Sequence, residues 1–295
     1  MYDYQSKLAE IKKHIDKHTE ADVRYCSNVL PELYMFNWTT TQSETSPVLY
    51  HPGVVISVQG KKKMTLGGKS YNYNPGKFLT LFMPMTIECK IVEASPAEPL
   101  MGVYLTFDQG RIAQLLMKLN RSGYSPDQIG TEKFSGIYSE AVNDQLLDAF
   151  IRLLETLDDP IKAAVLGESI IDEIYFHILY SGQGAILNNL LHRNGQIQQM
   201  SIAVDYIYNH MDQTISVDEL ACSVQMGSSN FHRKFKEVMH LSPVQYIKKI
   251  KLVTAQALIL EGKSVSEAGY QVGYKSPSQF SREYKRFFGK VPSDV

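Results

Sequence analysis

A pattern written twice near the C-terminus constrains the fold of this 295-residue chain more than any other feature. Ser216-Val-Asp-Glu219 is followed by Phe231-His-Arg233-Lys-Phe235-Lys236, and Ser264-Val-Ser-Glu267 by Phe280-Ser-Arg282-Glu-Tyr284-Lys285. In each copy a Ser with a Glu three residues on reads as a capping box, which satisfies orphan amides at a helix start. Leu220, Ala221 and Val224 in one copy, and Ala268 and Val272 in the other, supply the buried side of that short helix. A turn follows, with Gly273 able to take the left-handed conformation and Gln225 in the same slot of the first copy. The next helix places Phe231 and Phe235, or Phe280 and Tyr284, at i, i+4 on an inner face. Two such units in register predict a tandem helix-turn-helix.

The outward residues of the second helices are Ser229, Asn230 and Arg233 in one copy and Ser278, Gln279, Ser281 and Arg282 in the other. Short polar groups at a helix start allow close approach to base edges, and an Arg one turn later reaches guanine O6 and N7 together. Those seven are the expected base-facing residues. Lys236, Lys248, Lys249, Lys251 and Lys285 are the expected phosphate neighbours, which position without specifying. A long helix from Pro243 to Leu260 lies between the units and would space two recognition helices by about one DNA turn, ~34 Å.

The net charge of −1 conceals an asymmetry. Residues 200–295 hold 12 Lys and Arg against 9 Asp and Glu, a net of +3, while residues 1–199 hold 18 against 22, a net of −4. The asymmetry is modest, but the positive balance lies where the duplicated pattern does and fits double-stranded DNA as partner; charge alone does not establish it. The length suggests two domains. Cys26, Cys89 and Cys222 are too few and too scattered for a disulfide framework, and no apolar run approaches the roughly 18 residues of a membrane span. A cytoplasmic protein without membrane attachment is the expectation.

Residues 8–24 read as an opening amphipathic helix. From about 33 to 107 short apolar or alternating runs are punctuated by Gly67-Gly68 and Asn74-Pro75-Gly76, which predicts an antiparallel barrel or sandwich. Beyond 109 the period becomes helical, with Ile112, Leu115, Leu116 and Leu119, then Val142–Leu157, then Ile161–Leu179. Either of the last two is a candidate homodimer surface or intradomain core. The boundaries expected are 1–182 for a regulatory domain with accessory helices, 183–196 for a polar linker and 197–295 for a DNA-binding domain.

The stretch Val272-Gly-Tyr-Lys-Ser-Pro-Ser-Gln-Phe280-Ser-Arg-Glu-Tyr284-Lys-Arg-Phe-Phe-Gly289-Lys-Val-Pro292, with Leu241-Ser-Pro-Val-Gln-Tyr246 before it, closely resembles the AraC/XylS family of transcription regulators. His51-Pro52-Gly53, Val58-Gln59-Gly60-Lys61, Tyr71-Asn-Tyr73-Asn-Pro-Gly76 and Glu93-Ala-Ser-Pro96 are similar to the cupin-like N-terminal domain of one AraC-type branch. The resemblance implies an α+β chain: a cupin-like antiparallel β-barrel with accessory helices, then an all-α tandem helix-turn-helix domain. It also implies a sequence-specific regulator, more often an activator through RNA polymerase, whose N-terminal half senses a small-molecule effector or dimerises. A ligand-independent regulator docking to a partner protein is the alternative, and a cupin enzyme with a DNA-binding appendage a more distant one.

Aromatic residues of the strand region, namely Tyr34, Phe36, Trp38, Tyr71, Phe82 and Tyr104, could line an effector pocket or fill a barrel core. Lys61-Lys62-Lys63 is expected to be a solvated hairpin loop rather than a ligand clamp. No cofactor and no catalytic residue is expected. No H-x-H pair exists, as metal-dependent cupins need. His14 and His18 stand at i, i+4, a spacing that holds metal on a helix, but the sequence sets no Glu or third His beside them. No metal site is expected.

Overall fold

The structure, a computed structural model, describes residues 4–124, 136–181, 184, 186, 187 and 196–294. A first helix, α1 (Tyr4–His18), buries Leu8, Ile11 and Ile15. It ends six residues before the expected limit, because Asp22 takes a positive φ of 60° and turns the chain into β1 (Val23–Cys26). Strands β2 (Leu33–Trp38), β3 (Ser46–Tyr50), β4 (Gly53–Gln59), β5 (Lys61–Leu66), β6 (Lys69–Tyr73), β7 (Lys77–Leu81), β8 (Met85–Glu93) and β9 (Leu100–Thr106) follow. A late strand, β10 (Ile137–Ala141), joins after α2 (Gln109–Arg121).

These strands form two antiparallel sheets in the orders β1-β2-β9-β4-β7-β10 and β3-β8-β5-β6. Period-two alternation decides what each face meets. On β2, Leu33 and Met35 are fully buried on one face, while Tyr34, Phe36 and Trp38 point to the other. β4 and β9 are buried on both faces, with α1 packed against them from outside. Glycine is required at Gly102, where any Cβ would meet Phe36 and the Ile56 carbonyl of the neighbouring strand.

Helices α3 (Asp144–Thr156) and α4 (Pro160–Leu179) pack together, α3 also against α1 and α4 against α2. Asn143 caps α3 by accepting the Leu146 N–H at 2.8 Å, and Asp159 caps α4 ahead of Pro160 at its first position. Leu146, Leu147, Phe150, Leu153 and Leu154 are wholly buried, so α3 is intradomain core and leaves only α4 of the two expected dimer surfaces. Among the described residues no helix is long and apolar enough to cross a membrane. Within the expected linker, Ile186 and Leu187 are buried, and residues 188–195 lie outside the described residues.

The C-terminal half contains α5 (Gln196–Asn209), α6 (Val217–Ser223), α7 (Ser228–Met239), α8 (Pro243–Leu260), α9 (Val265–Gln271) and α10 (Pro277–Phe288). Its two halves attach differently. Phe231, Phe235, Val238, Tyr246 and Ile250 belong to one continuous apolar core with the barrel. Leu252, Ala255, Ala268, Val272, Phe280 and Tyr284 form a separate one. The seam is hydrogen-bonded: Gly136 N–H donates to the Val238 carbonyl at 3.0 Å, and Tyr246 Oη to the Pro84 carbonyl at 2.7 Å.

Candidate DNA-binding surface and ligand cavity

Both expected capping boxes form. Glu219 N–H donates to Ser216 Oγ at 3.1 Å while the Glu219 carboxylate accepts Ser216 N–H at 3.1 Å; in the second copy the pair Ser264 and Glu267 does the same at 3.3 and 3.0 Å. Helices α6 and α9 are only seven residues long, so these caps and the packing of Leu220 or Ala268 hold them. α7 then seats Phe231 and Phe235 inward, with their ring centroids 5.4 Å apart and Phe235 edge-on to Tyr246 at 5.4 Å. α10 seats Phe280 and Tyr284, 5.6 Å apart. Each such buried ring contributes about 1.5–3 kcal/mol. Their burial turns the opposite faces of α7 and α10 to solvent.

On those faces Ser229, Asn230, Arg233, Ser278, Gln279 and Arg282 are exposed, and Ser281 is half-buried. Arg233 donates to Glu237 at 3.0 Å and to the Asn230 side chain at 2.9 Å, all within α7. Arg282 donates to the Ser278 carbonyl at 3.2 Å on its own helix. Neither guanidinium is drawn into the protein. At the start of α7, Gly227 offers no side-chain cap, whereas Ser276 caps α10 through Gln279 N–H at 3.4 Å.

The five lysines expected near phosphate divide into two sets. Lys236 and Lys285 are exposed on the recognition helices. The three on α8 are half-buried and have intramolecular partners. Lys248 pairs with Glu283 at 2.9 Å, Lys249 with Glu88 of β8 at 3.2 Å, and Lys251 donates to the Gln213 carbonyl at 2.9 Å. Burial raises the Glu283 carboxyl, but Lys248 and the Tyr274 hydroxyl outweigh it and hold the pKa below the usual value. Burial lowers that of Lys251. Sequence spacing put all three lysines on one stripe; the partners come from β8, α10 and the segment before α6, which spacing does not reveal.

Between the two sheets lies a cavity of about 390 Å³. Of the expected aromatic lining, Tyr34, Phe36, Trp38 and Tyr104 face it. Tyr71 and Phe82 do not. Phe82 instead packs edge-on against Tyr138 of β10 at 5.6 Å, and it is Tyr73, two residues on from Tyr71, that points inward. Val48, Leu49, Val55, Met64 and Ile91 complete an apolar wall.

Two cations stand in this wall. The Arg24 guanidinium lies 4.2 Å above the Tyr34 ring, and Lys62 Nζ donates to Tyr50 Oη at 2.8 Å. Asp22 is the one acid among the described lining residues, and its carboxylate is engaged by the Thr39 hydroxyl at 2.6 Å and backbone N–H at 2.8 Å. Those two bonds lower its pKa. Tyr50 Oη also lies 3.7 Å from Cys89 Sγ, and burial pushes up the pKa of both groups. Arg24 stands on β1, not in the opening helix expected to hold it, and Lys62 stands on a strand, not in a solvated loop. The Lys61–Lys63 run belongs to β5, and alternation sends Lys61 and Lys63 outward and Lys62 inward with Met64. That alternation was the available signal.

Comparison with known proteins agrees with both halves. The family model of the AraC-type transcriptional regulator N-terminus matches residues 29–186, and a helix-turn-helix domain model matches residues 220–295. The thermoregulatory protein LcrF of Yersinia pestis is 26% identical over 249 residues, covering 82% of this chain and 88% of that protein. The lactose operon transcription activator of Staphylococcus xylosus is 24% identical over 240 residues, covering 79% of each. Among solved structures, ToxT from Vibrio cholerae bound to an unsaturated fatty acid superposes with a TM-score of 0.60 over 89% of this chain and 93% of that one, at 11% identity, a likeness of fold alone. With its N-terminal model spanning more than half of the sequence and its duplicated helical unit in place, the chain belongs to the AraC-type transcriptional regulators.

Proposed function

We propose that this protein is a sequence-specific transcription activator that reads duplex DNA through α7 and α10 and is tuned by a small anionic amphipath held between its sheets. The observation that carries the DNA reading is the pair of exposed polar faces, each backed by two buried rings and each with an Arg one turn into its helix. Arg233 and Arg282 read guanine, Ser229, Asn230, Ser278, Gln279 and Ser281 contact neighbouring base edges, and Lys236 and Lys285 take phosphates. Lys248, Lys249 and Lys251 serve mainly as internal struts in the free protein. Activation proceeds through contact with RNA polymerase, the relatives being named as activators.

The cavity supports the choice of ligand. Its wall is apolar with two cations, and its single acid is already satisfied, so an apolar body bearing one carboxylate matches it in shape and charge. Such a molecule is of the same chemical class as the fatty acid in ToxT. A homodimer forms through the exposed start of α4, where Ile161 and Val165 are 75% and 68% exposed and Leu166 follows. The chain carries out no catalysis in this reading, and it works in the cytoplasm.

The deciding experiment is selection of bound duplexes from a random library, first with the wild-type chain and then with Arg282→Ala and Arg233→Ala. The wild type should enrich one motif, and each variant should lose about 1–3 kcal/mol of discrimination at one G·C position. Enrichment of the same motif with undiminished discrimination by both variants would remove the two arginines from base reading.

A further inference from the structure

We infer that His14, His18 and Asp158 form a binding site for a first-row transition-metal ion, with Zn2+ as the natural occupant. The three residues come from two places in the chain. His14 and His18 lie one turn apart on α1, and Asp158 stands in the turn between α3 and α4. Each offers a ligand atom, and these atoms lie within 4.8 Å of one another. His18 Nε2 donates a hydrogen bond to Asp158 Oδ1 at 3.0 Å, a contact that the ion would replace as Nε2 gives up its proton. In a tetrahedral zinc site with metal–ligand bonds of about 2.0–2.2 Å, neighbouring ligand atoms sit about 3.3–3.5 Å apart. One pair therefore stands near chelate distance already, and the remaining closure lies within the reach of side-chain rotation.

A second observation points to a ligand. His14 Nδ1 is buried and has no hydrogen-bond partner among the described residues, an arrangement that buried polar atoms rarely tolerate. The imidazole ring is thus held at one end of the cluster with an unused nitrogen. Two imidazoles and one carboxylate select a zinc-like ion over Mg2+ or Ca2+, which take oxygen ligands, and solvent completes the fourth position. Lys17 Nζ lies 2.6 Å from the same Asp158 oxygen and supplies the positive charge there. It sits on an exposed, flexible stem and can leave as the ion enters. The bound ion would join the N-terminal helix to the residues immediately preceding α4.

The test uses full-length protein stripped with a chelator, titrated with Zn2+ in competition with a chromogenic chelator. Wild type should bind an ion at micromolar concentration or below. His14→Ala and Asp158→Asn should each weaken that site at least tenfold, and Lys17→Ala, which keeps every ligand and removes the competing cation, should tighten it. Co2+ should give the absorption of a four-coordinate nitrogen and oxygen site in wild type and not in His14→Ala. Equal affinity and stoichiometry in wild type, His14→Ala and Asp158→Asn would place the ion elsewhere and overturn the proposal. Failure of both wild type and Lys17→Ala to bind below millimolar zinc would overturn it too.

Discussion

Gln225 and Gly273 occupy the same turn of the two helix-turn-helix copies, and both adopt left-handed backbone, with φ of 56° and 78°. The two positions differ in what surrounds them. At Gly273 an added Cβ would lie 2.6 Å from the Met211 carbonyl oxygen and 2.8 Å from the backbone of Asp212. At Gln225 the side chain is exposed. The left-handed conformation costs a non-glycine residue roughly 1–2 kcal/mol. Gln225→Gly should therefore stabilise the chain by about 1 kcal/mol, less the extra unfolded-state entropy of glycine. Gly273→Ala should destabilise it by more than 2 kcal/mol, since strain and collision add. Chemical denaturation of both variants checks the pair. A neutral Gly273→Ala would mean that the turn relaxes freely.

The seam between the halves should be sensitive to acid. His240 ends α7 with φ 55° and packs against Gly67 of the β5–β6 turn, where a Cβ would strike it. Burial first, and the charge of Lys69 second, lower its pKa from the ordinary 6.5. The folded state thus prefers neutral imidazole. Its contribution is complete above the unfolded pKa and is lost as pH falls from there through the lower folded value. His240→Asn tolerates the same backbone and does not titrate. The stability difference between wild type and His240→Asn should move against wild type between about pH 7 and pH 5. A difference independent of pH in urea melts would exclude this residue as a source of acid sensitivity.

The cavity cations should govern ligand charge preference. An apolar carboxylate such as oleate should raise the melting temperature of wild type, and the corresponding alcohol should do so less, because binding to the folded state alone adds apparent stability. Arg24→Met and Lys62→Met keep most of the apolar volume and remove one cation each. Each should weaken the carboxylate by about tenfold, near 1.4 kcal/mol, and leave the alcohol almost unaffected. Parallel losses for both ligands would assign the cavity a packing role without charge recognition.

The α4 surface should govern association. Val165→Asp places a charge at the centre of the exposed apolar start of α4 while leaving the buried Ala163, Gly167 and Ile171 face untouched. It should yield folded monomers by light scattering, with wild type expected to give dimers under the same conditions. A folded variant still dimeric at micromolar concentration would move the interface elsewhere.

Some of this architecture could be read from local sequence. The capping boxes, the Phe231/Phe235 and Phe280/Tyr284 spacing and the left-handed turn position all follow from interactions over three to nine residues, and the helical half carried them plainly. That Tyr34, Phe36 and Trp38 share one face was equally legible, since a strand's period of two is local, but not that this face encloses a cavity. Less could be read where a partner lay far along the chain. Lys248, Lys249 and Lys251 form one basic stripe by spacing, yet Glu283, Glu88 and the Gln213 carbonyl engage them from other elements.

The amino-acid order by itself determined two capped helical wedges, the antiparallel strands and the family they denote, because short-range periodicity and capping chemistry need no knowledge of the rest of the chain. Only the tertiary structure decided that the first wedge shares its core with the barrel while the second keeps its own. It alone set Arg24 and Lys62 in the cavity wall, and it alone brought Asp158 across 140 residues to His18. Sheet pairing and domain docking choose those neighbours, through apolar burial summed over the whole molecule.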